Sequence, residues 1–304
     1  MIKILNVIKN RMYKKIITNS TSKDIDFNSG LYIVATPIGN RYDITIRAIM
    51  LLQNSDILVC EDTRVTKKLF KLLNIATKNK KWISYNDHSP DIKKNIILKE
   101  LQLTKIVSLI SDAGTPLISD PGYKLVNHVI NAGFKVYSMP GPCAAISSLV
   151  ISGLKTDKFS FLGFLPKNTN NYIETLRAYS VLKSTLILYE KANRINFLLT
   201  ILKDNFISFR LVIIRELTKL YEDVIYITQN NINDFLKNKL KLKGEITVLL
   251  EIHSNIDKVY TDSELSSELK QLKPSQVSAM LAKKSLEDRA TIYKRCIKIL
   301  NKNG

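Results

Sequence analysis

The sequence predicts an α/β protein of two domains followed by a small helical segment. Three observations predict it. Short apolar runs alternate with helical stretches from residue 31 onward. The segment PGPCAA at 140–145 breaks that rhythm, and a second set of runs follows it. After residue 253 the chain becomes polar and helical in pattern. Strand–helix alternation of this kind is the signature of a largely parallel sheet covered on both faces.

In order along the chain, LYIVA (31–35) reads as a buried strand, followed by a turn holding Pro37 and Gly39 and a helix over 43–54. DILVC (56–60) is a second strand and 64–73 a second helix. WISY (82–85), a helix at 91–101 and KIVSLI (105–110) continue the series. GYKLVNHVINAG (122–133) is a helix that ends on Gly133 as a C-cap. KVYSM (135–139) completes the first set, and PGPCAA opens a helix to about 152.

The second set comprises FSFLGF (159–164), a helix near 170–180, STLILYE (184–190), a helix at 191–203, RLVIIREL (210–217), YEDVIYI (221–227) and EITVLLEI (245–252). Its strands are less strictly separated by helices, so a mixed sheet is expected. Residues 261–300 read as three short helices, with Pro274 suited to a first helical turn. The division is therefore an extension at 1–29, domains at 30–145 and 146–253, and a helical tail at 254–304.

The 304 residues suffice for two cores. No apolar run approaches the length of a membrane span. Cys60, Cys143 and Cys296 lie far apart, with no metal-ligand spacing, which points to a reducing, cytoplasmic setting. No metal site and no Ser/His/Asp triad signature is present. The first 20 residues lack the clean apolar core and cleavage site of a signal peptide and read as a loosely docked extension. The formal net charge is +19. A balance this basic suits a polyanionic partner such as RNA. Compositional drift toward lysine accounts for the same charge equally well, since 36 of the 46 cationic residues are lysines.

Ligands of open α/β sheets bind at the carboxyl ends of the strands. Three loops there combine glycine, proline and small residues: ATPIGN (35–40), SDAGTPLISDPG (111–122) and PGPCAA (140–145). Such loops let backbone approach a ligand closely. ATPIGN is neither GxGxxG nor a P-loop, so dinucleotide and triphosphate sites are excluded. EDTR (61–64) is either a polar substrate site or a helix cap, with Asp62 or Thr63 as the capping residue. His88 of NDHSP (86–90) lies in a loop above a strand, where a general base would sit. RELTK (215–219) and KGE (243–245) are charged clusters at strand ends, read either as site residues or as edge ion pairs.

TPIGN, VCEDTR, SDAGTPLISDPG, PGPCAAISSL, GFLP, LILYE, RELTK and KGE occur in this order. Together they resemble the small-subunit ribosomal RNA methyltransferases of the tetrapyrrole methylase superfamily, over roughly 30–252. The resemblance implies two α/β domains with S-adenosylmethionine folded up in a cleft between them. It also implies a homodimer and 2'-O-methylation of a decoding-centre cytidine in 16S rRNA, within the small ribosomal subunit. Carried over by motif, cofactor contacts are expected at Pro37, at Asp112, Ala113 and Gly114, and at Cys143 and Ala144. From the second domain Tyr189, Glu190 and Leu217 are expected near the adenosine.

The family usually carries a histidine where this chain has Asn86, and His-Arg where it has Asn193 before Arg194. A ribose hydroxyl needs a base; His88, Asp62, Glu190 and Glu216 are the candidates, with Lys219 and Arg64 to stabilise charge or hold phosphate. Lys283, Lys284 and Arg295 join Arg64 as candidate RNA contacts. Two other functions remain open: methylation of a tetrapyrrole carbon, and a non-catalytic RNA-binding assembly factor.

Overall fold

In the computed structural model, β1 (Gly30–Val34) is the fourth strand of an all-parallel sheet of order β3-β2-β4-β1-β5. The other four are β2 (Ile57–Cys60), β3 (Lys81–Ser84), β4 (Ile106–Ile110) and β5 (Val136–Met139). The structure describes residues 26–253, 259–282, 285 and 287–303. Strands β1, β2 and β4 are apolar at nearly every position because helices cover both faces. One face packs α1 (Ile46–Asn54) and α2 (Thr63–Leu72), through Ile49, Leu52 and Phe70, onto Val34, Leu58 and Ile110. The other packs α3 (Asp91–Gln102) and α4 (Tyr123–Asn131), through Ile97, Leu101, Leu125 and Val129, onto Leu31, Val59 and Val107.

The chain divides into two compact units between Ala144 and Ala145. Helix α5 (Ala144–Ile151) starts at that division. The second unit holds a mixed sheet of order β6-β7-β10-β8-β9, as its less regular strand spacing predicted. Its strands are β6 (Phe159–Phe164), β7 (Thr185–Lys191), β8 (Ser208–Arg215), β9 (Asp223–Thr228) and β10 (Glu245–His253). Only β6 and β7 run parallel; β10 pairs antiparallel with both β7 and β8, and β9 closes one edge. Helices α6 (Thr169–Ser180), α7 (Ile195–Asn205) and α8 (Ile232–Asn238) complete this core, with Tyr172, Leu198 and Ile232 fully buried.

The C-terminal helices are α9 (Asp262–Leu269), α10 (Pro274–Leu281) and α11 (Arg289–Asn303). Thr261 and Glu264 form a reciprocal capping box at the start of α9, and Pro274 occupies the first turn of α10. They enclose a small core of their own around Leu265, Val277, Ile292 and Cys296. No described helix is long and apolar enough to cross a membrane.

Candidate functional site

The three loops at the carboxyl ends of β1, β4 and β5 are knitted together by hydrogen bonds. Thr36 and Gly114 exchange N–H···O bonds of 2.8 and 3.0 Å, an isolated bridge between the first two loops. The Thr115 hydroxyl donates to the Pro142 carbonyl at 2.8 Å and ties in the third. Ser111 is buried and donates to the Ala113 and Gly114 carbonyls. Gly141 passes so close to β1 that a Cβ there would lie 2.9 Å from the Ala35 Cβ. Gly114 has φ +78 and its absent Cβ would meet Ile38 at 3.2 Å. Gly141 is required by its close approach to Ala35, and Gly114 is favoured by its left-handed backbone.

This knitting presents Asp112 and Ala113 to solvent and leaves Pro37, Cys143 and Ala144 half-buried. All five, with Gly114, come from the first unit and surround one set of loops. The segment after Gly114 is contorted: Leu117 and Ser119 take left-handed backbone (φ 72 and 64) before Gly122 at φ 134. Non-glycine residues hold such angles at a cost and cluster at functional sites.

Carboxylates gather around the same loops. Asp62 caps α2: its side chain accepts from the Arg64 N–H at 2.8 Å, which assigns the cap to Asp62 rather than Thr63. The Asp62 N–H donates to Asp112 at 3.2 Å, joining α2 to the SDAG loop. Hydrogen bonds from the Arg64 side chain and backbone hold the Asp62 carboxyl down at about 2. Although both side chains reach solvent, partial desolvation of their carboxyls first, then neighbouring carboxylates, push Glu61 and Asp112 up. Asp120 is raised to about 6, by burial and then by Glu61 and Asp112, against a hydrogen bond from Ser111. The site therefore leans toward binding a cation.

The NDHSP loop is shaped by Asn86, whose side chain accepts from the His88 N–H at 3.0 Å and from the Ser89 hydroxyl. Asn86 thus does turn-forming work in this loop. Asp87 connects this loop to the others: its carboxylate accepts from the Gly122 N–H at 3.0 Å and its carbonyl from Lys124. Sequence reasoning singled out His88 and passed over Asp87, Asp120 and the Thr36–Gly114 bridge. The His88 side chain is exposed and has no hydrogen bond among the described residues.

In the second unit Glu190 is 5% exposed and fully engaged. One oxygen accepts from the Tyr172 hydroxyl at 3.2 Å; the other accepts from the Lys191 N–H at 2.8 Å and lies 3.8 Å from Arg194. Arg194 in turn covers the Tyr172 and Phe197 rings. Burial and the Glu190 charge push the Tyr172 hydroxyl far up, so it stays a donor. Tyr189 sits edge-on to Phe161 and Phe164.

RELTK and KGE form a clasp. Glu216 accepts from the Glu245 N–H at 2.9 Å, and Lys219 bridges Glu216 (2.9 Å) and Glu245 (2.8 Å). Hydrogen bonds from Glu245 and Lys219 lower the Glu216 carboxyl. Left-handed Glu216 and Thr218 (φ 52 and 65) bracket half-buried Leu217. Gly244 (φ +91) takes a backbone that other residues rarely adopt, and a Cβ there would displace the Glu216 carboxylate from the clasp.

Of the candidate RNA contacts, Arg64 has a highly exposed side chain beside Asp62. Arg295 does not stand free. Its guanidinium holds Asp262, Glu287 and the Tyr260 carbonyl, stapling α9 to α11. Lys283 and Lys284 lie outside the described residues. No described group of three or more His, Cys, Asp or Glu side chains is placed to hold a metal ion.

Residues 30–232 match the family model described as Tetrapyrrole (Corrin/Porphyrin) Methylases. A ribosomal RNA small subunit methyltransferase I of Rickettsia prowazekii is 45% identical over 222 residues, 73% of this chain and 78% of that one. The chain belongs to the ribosomal RNA small subunit methyltransferase I family of tetrapyrrole methylases. A member of this methyltransferase I family from Mesorhizobium japonicum is 35% identical over 277 residues, covering 90% of this chain and 93% of its own. The fold also resembles the methyltransferase CobJ, with TM-score 0.55 and 13% identity over 76% of this chain and 97% of that one. Diphthine synthase gives 0.53 and 15% identity over 73% and 91%. The segments TPIGN, SDAGTP and PGPCA, on which the resemblance rests, are the three loops joined in the first unit.

Proposed function

We propose that this protein transfers a methyl group from S-adenosylmethionine to the ribose 2'-oxygen of a decoding-centre cytidine in 16S rRNA. The observation that carries it is the joined set of loops TPIGN, SDAGTP and PGPCAA in a chain 45% identical to a ribosomal RNA small subunit methyltransferase I. The loops fit such a cofactor. Small residues at 113, 114, 143 and 144 leave room, and the close approach at Gly141 keeps backbone rather than side chain at the surface. The acidic lean of Glu61, Asp112 and Asp120 suits a molecule with sulfonium and ammonium centres. When bound, it supplies an activated methyl group, and the protein's work is orientation and proton removal.

Among the four candidate bases, Asp62 is held near 2 and is a weak base. Glu190 and Glu216 are committed to the hydrogen bonds described above. That leaves His88, and adds Asp120, whose value of about 6 suits a base working near neutral pH. Lys219 is engaged in the clasp and supports the placing of Leu217 rather than acting as a charge stabiliser. We further propose a cytoplasmic homodimer acting on the assembled small subunit, because RNA is recognised largely by shape.

The test is methyl transfer from radiolabelled S-adenosylmethionine to small subunits lacking the modification, with the labelled nucleotide mapped. Label on a cytidine 2'-oxygen supports the reading. No label with the cofactor still bound points to a tetrapyrrole substrate, and no cofactor binding points to a non-catalytic assembly factor.

A further inference from the structure

We propose that the solvent face of α2 is a phosphate track for the substrate RNA; this rests on the function proposed above. The helix TRVTKKLFKL carries Arg64, Lys67, Lys68 and Lys71 and no acidic residue. Across the chain 46 cationic side chains stand against 27 acidic ones, so compositional drift alone would interleave the two signs. Helices α3, α6 and α7 do interleave them, with Asp91, Glu174 and Asp204 among their residues, whereas α11 carries no acidic residue either but turns Arg295 onto Asp262 and Glu287.

The four cations share one side of the helix. Thr66 and Phe70 are buried against the sheet, whereas Arg64, Lys67, Lys68 and Lys71 are all exposed. Positions 64, 68 and 71 fall on one stripe at about 6 and about 10 Å from the first, given a rise of about 1.5 Å per residue. Lys67 is steadied over the Trp82 ring at 5.3 Å. Lys68 and Lys71 have no acidic partner among the described residues. Ammonium groups with no competing acidic partner on a helix are free to neutralise phosphates, the gain coming from release of condensed counterions.

The stripe also begins at the right place. Its first residue, Arg64, stands two positions after Asp62 and pairs with its carboxylate, and the Asp62 N–H is bonded to Asp112 of the SDAG loop. An RNA strand with its target ribose at these loops would lay its flanking phosphates along α2. Phe70 of α2 is consumed by the core and only Val65 and Leu72 are left exposed on it, too few for the continuous apolar face that a lipid surface takes up.

The experiment compares K68Q/K71Q with K203Q/K237Q, which removes the same charge from exposed positions on α7 and α8. Binding to deproteinised 16S rRNA is measured across a salt series, beside cofactor titration and thermal unfolding. The expected result is a roughly tenfold loss for K68Q/K71Q and a salt slope shallower by about 1.4, from about 0.7 per phosphate contact to single strands. Cofactor affinity and melting temperature stay unchanged. Equal losses in both variants, or none in either, overturn the proposal. Loss of binding to intact subunits with naked rRNA binding preserved overturns it in favour of an acidic protein contact. If the wild-type protein neither binds rRNA nor transfers label to subunits, the functional reading itself has failed, and the stripe has no RNA to serve.

Discussion

Thr36 and Gly114 are 78 positions apart, yet they exchange both backbone hydrogen bonds, at 2.8 and 3.0 Å. That single bridge makes one surface of two loops which the parallel sheet alone would only bring near each other.

Gly114→Ala tests the bridge. The left-handed backbone at φ +78 penalises any side chain by about 1–2 kcal/mol. The new methyl group would also press on Ile38. We expect a melting temperature lower by a few degrees and cofactor affinity weakened about tenfold by calorimetric titration. Unchanged affinity would remove the bridge from the cofactor site.

Glu190 separates structure from chemistry. Glu190→Ala leaves the Tyr172 hydroxyl and Arg194 without their buried partner. Breaking one side of a buried charged network costs about 3–5 kcal/mol. Urea unfolding should show a loss of that size, with Glu190→Gln milder because it keeps the shape. A fall in turnover at unchanged stability would instead make Glu190 a catalytic group.

Asp120 predicts a pH dependence. Its folded value of about 6 lies above the 3.8 of an ordinary aspartate, chiefly through burial. The native state therefore holds this proton more tightly than the unfolded chain does. The resulting stability is full below about pH 4 and is lost as pH rises to about 6. Asp120→Asn should flatten that part of the melting-temperature profile and raise stability at neutral pH relative to wild type. An unaltered profile would show that Asp120 titrates normally.

The Glu216–Lys219–Glu245 clasp yields a graded pair. Gly244→Ala forces a Cβ into the Glu216 carboxylate at φ +91 and should cost about 1–3 kcal/mol. Lys219→Met removes a partly exposed bridge and should cost at most about 1 kcal/mol. Denaturant midpoints of the two variants decide the order; the reverse order would mean the lysine, not the turn, holds the clasp.

The strands were legible because each is an apolar run bounded by turn residues, as in ILVC of β2 and IVSLI of β4. Helix α8 was not: INDFLKN is seven residues of mixed character with no side-chain cap. The three glycine-proline loops were legible by composition, but the contact between Thr36 and Gly114 is made by backbone and leaves no residue-type signature. Asp120 lay inside a loop already marked, and its raised carboxyl depends on burial that no spacing reveals. Arg295 looked available because Asp262 and Glu287, its partners, are brought to it only by the packing of the helical bundle.

The hydrogen bond from the Asp62 N–H to Asp112 has a thermodynamic consequence. It makes the first turn of the cationic helix and the SDAG loop a single joint, so ordering either one lowers the entropic cost of ordering the other. Two ligands that use the joint should then bind synergistically, and the factor by which the first tightens the second must equal the factor in the opposite order. Asp112→Asn retains the acceptor and Asp112→Ala does not, so the two substitutions divide the charge of that residue from its part in the synergy.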